Sequence, residues 1–144
     1  MKRISDLSTK IEATPTFEEK EEPHKDPDLI AKKHLPQNVE VFEISGPFFF
    51  AVADRLKDLT THLEKSPKVF ILRMGKVPII DATGMNALKE FHHHCQKGAT
   101  TLILSGIRGQ PEASIKKFGI DKLIGKENIF PNIDAALQHA RRLI

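Results

Sequence analysis

A carboxylate and a hydroxyl lie close together in residues 80 to 85 (IDATGM), directly before a segment with helical periodicity. Asp81 precedes the predicted helix by one residue, where its side chain can accept a hydrogen bond from a first-turn amide. Thr83 lies in that first turn, whose amides favour a phosphate or another anion. Gly84 costs a helix about 1 kcal/mol relative to alanine, which indicates close approach by another backbone or a ligand.

These three residues and Met85 form the candidate site for regulation or partner binding. We expect all four to lie at an exposed, partner-facing helix start. Thr83 is the candidate phosphorylation site, because a phosphate there would be attracted by the amides and repelled by Asp81. The plainer alternative is that Asp81 is a helix cap and nothing more.

The run His92-His93-His94-Cys95 has the residue types that bind zinc. Adjacent helical residues point about 100° apart, so the run cannot converge on one ion. His92 and Cys95 could share a face, but that face is also the apolar stripe of the helix, which favours a packed thiol and a partly buried imidazole. We predict no metal site.

Enzymatic activity finds no support in the sequence, because no set of acid, base and nucleophile emerges. The glycine-containing stretch at residues 106 to 109 (GIRG) lacks the lysine and the spacing of a phosphate-binding loop and is predicted to be a turn. We therefore expect a binding module without a cofactor.

The elements that would position these residues alternate between short apolar runs and helical periods, which is typical of an α/β layer structure. Residues 39–44 read as a strand, residues 68–74 as a strand buried on both faces, and residues 100–105 as another. Helices are predicted between them, the second ending at Gly98.

The last third of the domain has clear helix boundaries. Pro111 suits the first turn of a helix that ends at Gly119, with Ile120 folding back onto Ile115. A short strand at residues 129–130 and a final helix capped by Asn132 complete the pattern.

Residues 1 to 37 differ in composition from the remainder, with four prolines and the acidic run of residues 18–22 (EEKEE). Such a segment buries too little apolar surface to offset its ordering entropy, so we predict a charged linker. The chain has 144 residues and a net charge of +3, with one cysteine and no tyrosine or tryptophan. These features favour one cytosolic domain and argue against nucleic-acid binding.

Three motifs in order, at residues 46–51 (GPFFFA), 80–85 (IDATGM) and 127–131 (ENIFP), resemble the STAS domain of sulfate-permease-family anion transporters. The resemblance covers residues 38 to 144. Residues 1 to 8 look like the stretch that follows the last membrane helix of these transporters, so residues 1–37 would be the linker after that helix.

The resemblance implies an α/β fold, with a central four- to five-stranded mixed sheet flanked by about four helices. It implies a regulatory domain on the cytoplasmic face of the membrane, soluble when isolated, as part of an integral membrane protein. Its partners would be the membrane domain of the same polypeptide, a cytosolic regulatory protein or nucleotide, or a second copy in a homodimer.

The alternative function is a freestanding anti-sigma-factor antagonist, a protein class that shares this fold and is switched by phosphorylation. In those antagonists the phosphorylated hydroxyl precedes the glycine of the motif, which corresponds to Thr83. Ala82 replaces the second hydroxyl of the antagonist motif, as in many bacterial transporters, and this difference favours the transporter interpretation.

Overall fold

A computed structural model describes residues 9–12, 36–62 and 67–144 of the chain. The strands are β1 Thr9–Glu12, β2 Val39–Ser45, β3 Val69–Lys76, β4 Thr101–Ser105 and β5 Ile129–Phe130. The helices are α1 Phe50–His62, α2 Ala82–Lys97, α3 Gly109–Lys117, α4 Ile120–Ile124 and α5 Ile133–Leu143, with a 3-10 turn at Lys126–Asn128. None of the helices in these residues combines the length and the apolar character that a membrane span requires.

The five strands form one sheet in the order β1-β2-β3-β4-β5. All four described pairings are parallel, so the α/β class is confirmed and the prediction of a mixed sheet is wrong. The physical reason is the connection between strands: from β2 onward a helix carries the chain back to the starting end of the sheet, which makes the next strand parallel. The described residues contain five α-helices where about four were expected, since α4 was not predicted.

Strand β1 falls inside the segment predicted to be a linker. Its backbone pairs with Phe42 to Ser45 of β2, so the segment contributes an edge strand at this point. The rest of the predicted linker up to residue 35 lies outside the described residues.

Two apolar layers enclose the sheet, as expected for strands buried on both faces. One face carries helices α1 to α4 over Phe70, Leu72 and Leu104. The other face carries α5 over Val41 and Ile71. Along β2, β3, β4 and β5 the side chains point alternately into these two layers. The layer that a residue at a strand end faces therefore depends on its position in the strand.

The helix boundaries follow the local rules predicted from sequence. Asn132 caps α5 by accepting a hydrogen bond from the Ala135 amide at 2.8 Å. Gly119 follows α3 with φ +75°, and its amide donates to the Lys116 carbonyl at 3.2 Å. Ile115 and Ile120 are both buried in the same apolar layer, and the predicted contact between them stays a prediction.

Candidate functional site

The start of α2 is held by a side-chain cap. Asp81 Oδ1 accepts a hydrogen bond from the Gly84 amide at 2.9 Å, and the Asp81 carbonyl accepts the bond of the Met85 amide at 2.9 Å. The cap predicted for Asp81 is therefore confirmed. Because the carboxylate is exposed, it keeps further acceptor capacity toward solvent or a partner.

Gly84 is packed against the strand-to-helix loop that precedes α1. A Cβ atom built on it would collide with the Phe48 carbonyl oxygen and would lie 2.9 Å from Phe48 Cδ1 and from Ile80 Cγ1. The predicted close approach is confirmed, and the approaching group is the backbone of Phe48. A glycine is needed here because only its missing side chain lets α2 come this near.

The loop around Phe48 also fixes the residues just before α2. Phe48 is fully buried, its amide donates to the Ile79 carbonyl at 2.9 Å, and it bridges to Ile80 in parallel register. Phe50, two residues later, is 70% exposed. The phenylalanine run thus divides between core and surface.

Only part of the candidate site faces solvent. Asp81 and Thr83 are exposed, whereas Gly84 is buried and Met85 is 6% exposed. The prediction of a partner-facing surface is wrong for the last two residues. The reason is helical geometry: positions 84, 85 and 88 lie on the stripe that packs against the sheet, whereas position 83 lies outside it.

An open groove of about 400 Å³ runs between the start of α2 and α3. Asp81 and the edge of Met85 line one side, and Phe118, at the end of α3, lines the other. The Phe118 ring is 65% exposed, and the Lys117 ammonium lies 5.7 Å from its centre. The groove thus combines an apolar wall with a carboxylate and an exposed aromatic ring.

Gln110 fastens the two sides of this groove together. Its Oε1 accepts from the Ile80 amide at 2.9 Å, and its Nε2 donates to the Ile80 carbonyl at 3.1 Å and to Ser114 Oγ at 2.9 Å. Gln110 could not be predicted from the sequence, because its contact with Ile80 joins positions 30 apart and no local motif indicates it.

Thr83 faces a different depression. It lines a groove of about 290 Å³ between α1 and α2, beside Asn86 and Glu90. The Asn86 amide donates to Glu90 at 3.3 Å within that groove. The predicted site residues are therefore distributed over both flanks of α2, with Asp81 on the α3 side and Thr83 on the α1 side.

A family model described as the STAS domain matches residues 31–136, which is well over half of the chain. The chain belongs to the STAS domain family. The identification made from three motifs is thereby confirmed.

Among solved structures, a sulfate transporter family protein from Wolinella succinogenes is 51% identical to this STAS domain, with a TM-score of 0.79. The match covers 82% of this chain and 97% of that one. The SulP transporter STAS domain of Vibrio cholerae is 32% identical, with a TM-score of 0.68 and coverage of 76% and 85%.

Longer relatives place such a domain within a larger protein. A Bacillus subtilis protein described as a sulfate transporter, YvdB, is 32% identical over 107 residues, which are 74% of this chain and 20% of YvdB. This STAS domain thus spans one fifth of the length of that relative. The murine anion transporter Slc26a9 shares the fold at 22% identity and a TM-score of 0.66, with 18% of its chain covered.

The histidine run of α2 does not converge in this STAS domain. His92 and Cys95 are buried on the core side, whereas His93 and His94 are exposed. Within the described residues no three His, Cys, Asp or Glu side chains are grouped to hold a metal ion. Burial raises the pKa of the Cys95 thiol to about 12, so it is protonated at neutral pH and a poor nucleophile.

The free energy of unfolding should fall as the solution is acidified, because His92 becomes protonated more readily in the unfolded chain. Burial, and secondarily the nearby His93, lower the pKa of His92 from its ordinary value of 6.5. The unfolded chain therefore binds the proton at higher pH than the folded chain, so this contribution to stability is complete above pH 6.5 and lost below it. Urea unfolding at about pH 7.5 and about pH 5 should show that His92→Leu flattens this dependence, whereas His93→Leu should not have the same effect.

Proposed function

We propose that this STAS domain is a regulatory and interaction module of a longer, sulfate-permease-like anion transporter, located on the cytoplasmic side of the membrane. The observation that supports this proposal is the share of each relative that aligns with the chain. The alignment spans nearly the whole Wolinella chain but only one fifth of the Bacillus transporter-like protein. A transport pathway would then belong to the remaining four fifths, and this domain would act on it through contacts.

The exposed start of α2 and the groove beside α3 are the surface that we assign to partner binding. Asp81 keeps acceptor capacity there, Phe118 presents an exposed ring, and Gln110 holds the groove walls at a fixed spacing. A preformed groove lowers the ordering cost of association, which favours a switchable contact with a protein segment. The proposal assigns no catalytic step to this chain.

Thr83 is the position where a charge would alter the exposed start of α2, on its α1 side, without disturbing the fold. Its side chain is exposed and lies in the first turn of α2, outside the buried stripe. Thr83→Glu should change partner binding or anion uptake of the full-length transporter, and should shift the unfolding free energy of the 144-residue chain by less than about 1 kcal/mol. Anion uptake in membrane vesicles and urea unfolding measure the two quantities separately.

A matched control is Gln138→Glu, which adds the same charge on the exposed side of α5, across the sheet. It should leave uptake unchanged. Unaltered uptake, partner binding and surface delivery with both Thr83→Glu and Thr83→Ala would refute a switching role and leave Asp81 as a helix cap. Unfolding of the isolated chain by either change would refute the exposed position of Thr83.

The freestanding antagonist remains the alternative, because the exposed hydroxyl of Thr83 is accessible to a kinase. The reading frame upstream of Met1 separates the two proposals. Many hydrophobic segments in that frame are expected for the transporter domain, whereas an isolated start codon beside a kinase gene would support the antagonist.

A further inference from the structure

A row of side chains crosses the sheet on the face that α5 covers, at the carboxyl ends of the strands. Glu43 pairs in register with Arg73, Arg73 with Ser105, and Ser105 with Phe130. Because side chains alternate along a strand, Arg73 and Ser105 point to the same side as Ile71 and Ile103, which pack against α5. The row therefore places a guanidinium and a hydroxyl next to each other at the edge of an apolar layer.

Both of these polar groups are buried. Arg73 is 9% exposed and Ser105 is 2% exposed. Within the described part of the chain, neither side chain makes a hydrogen bond or an ion pair. A buried cation is stable when something compensates its lost hydration. Among the residues that the structure describes, no carboxylate forms an ion pair with Arg73, and Glu43 pairs with Lys76 instead.

A cavity of about 180 Å³ opens directly onto these two side chains. Its walls include Lys76, Arg108, the α5 cap Asn132 and the first α5 residue Ile133. The volume exceeds the share of about 30 Å³ that one water takes in the liquid, so the cavity has room for a small polyatomic ion. Its charged side chains line one concave space, unlike charged side chains that are scattered over an open surface.

The charges around the cavity favour an anion. Arg73, Lys76 and Arg108 carry three positive charges, and Glu43 carries one negative charge and lies 3.9 Å from the Lys76 ammonium. Arg108 donates one hydrogen bond to the Gly75 carbonyl at 3.1 Å, which fixes its guanidinium at the rim. The amino end of α5, an 11-residue helix, adds its positive dipole end.

We propose that this cavity, defined by Arg73, Ser105, Arg108 and the start of α5, binds a small tetrahedral oxyanion, either free phosphate or sulfate or the terminal phosphate of a nucleotide. The planar guanidinium of Arg73 presents paired N–H donors that match two oxygens of such a group, and the Ser105 hydroxyl supplies a third donor. The site lies across the sheet from the groove assigned to partner binding, so it is a separate ligand position.

Isothermal titration of the 144-residue chain with sodium phosphate, sodium sulfate and ATP, at constant ionic strength set by sodium chloride, tests the proposal. Arg73→Met keeps the aliphatic packing and removes the guanidinium, and it should weaken oxyanion binding by about tenfold or more. Ser105→Ala should weaken it by a smaller factor. The control Arg55→Met removes an exposed charge on α1, on the other side of the sheet, and should leave affinity unchanged.

Binding of inorganic phosphate or sulfate that depends on Arg73 supports a free-ion site, and binding of ATP alone that depends on Arg73 supports a nucleotide phosphate site. Absence of saturable binding for all three probes would overturn the proposal. So would equal loss of affinity in Arg73→Met and Arg55→Met, because that result would mean nonspecific charge attraction. Thermal unfolding without ligand, run on each variant, shows whether a loss of binding comes from a loss of folding.

Discussion

Replacing Gly84 with alanine is expected to destabilise the domain by about 2 kcal/mol, although alanine is the better helix former. Inside a helix this change ordinarily stabilises by about 1 kcal/mol. Here the added methyl group meets the Phe48 carbonyl oxygen, and it would lie 2.9 Å from Ile80 Cγ1. A backbone oxygen cannot rotate away as a long side chain can, so α2 must move off the loop that holds Phe48.

The neighbouring change Thr83→Ala is the control for helix propensity. Thr83 is exposed in the same first turn, so its replacement adds helix propensity without a collision. Urea unfolding of both variants of the 144-residue chain should therefore give changes of opposite sign. If Gly84→Ala is as stable as the native chain or more so, α2 does not approach Phe48 as closely as described.

Some features around Gly84 can be predicted from the sequence, and others require the fold. A glycine in a first turn indicated a close approach, and the capping residues Asp81 and Asn132 followed from their positions relative to a helical period. These features depend on neighbours within four residues, so local rules predict them. That the approaching group is Phe48, 36 positions earlier, depends on how the sheet places two loops side by side.

The exposure of the candidate site was overestimated for a related reason. The four residues are close in sequence, but successive helical positions turn by about 100°, so Gly84 and Met85 face the sheet. The helical period of α2 could have separated them from Thr83. The groove wall built by Gln110 and Phe118 could not have been assigned this way, since it requires the position of α3.

The anion cavity illustrates the largest gap between sequence and structure. In the chain, Arg73 follows four apolar residues of β3, where a single arginine has several ordinary explanations. Its partners in the proposed site come from β4, from the turn after β4 and from the start of α5. Only the register of four parallel strands, together with the return of α5 across one face, brings these groups around one cavity.

Phe70→Ala is expected to be the most damaging single substitution considered, with a loss of about 3 to 5 kcal/mol. Phe70 is fully buried at the centre of the layer covered by α1 and α2. Its ring stacks on Phe42 at 4.9 Å between centroids and meets Phe91 edge-on at 4.8 Å. Removing it leaves a cavity between β2, β3 and α2. It also removes two aromatic contacts, which stabilise by more than their buried area alone accounts for.

The loss should be large compared with the total stability of about 5 to 15 kcal/mol that is typical of such domains. Phe50→Ala makes the same chemical change at a ring that is 70% exposed, and it should alter the unfolding free energy by no more than about 0.5 kcal/mol. Equal losses for the two variants in urea unfolding would contradict the placement of Phe70 in the core. Because Phe50→Ala preserves the fold, it can also report whether the exposed ring contributes to partner binding, independently of stability.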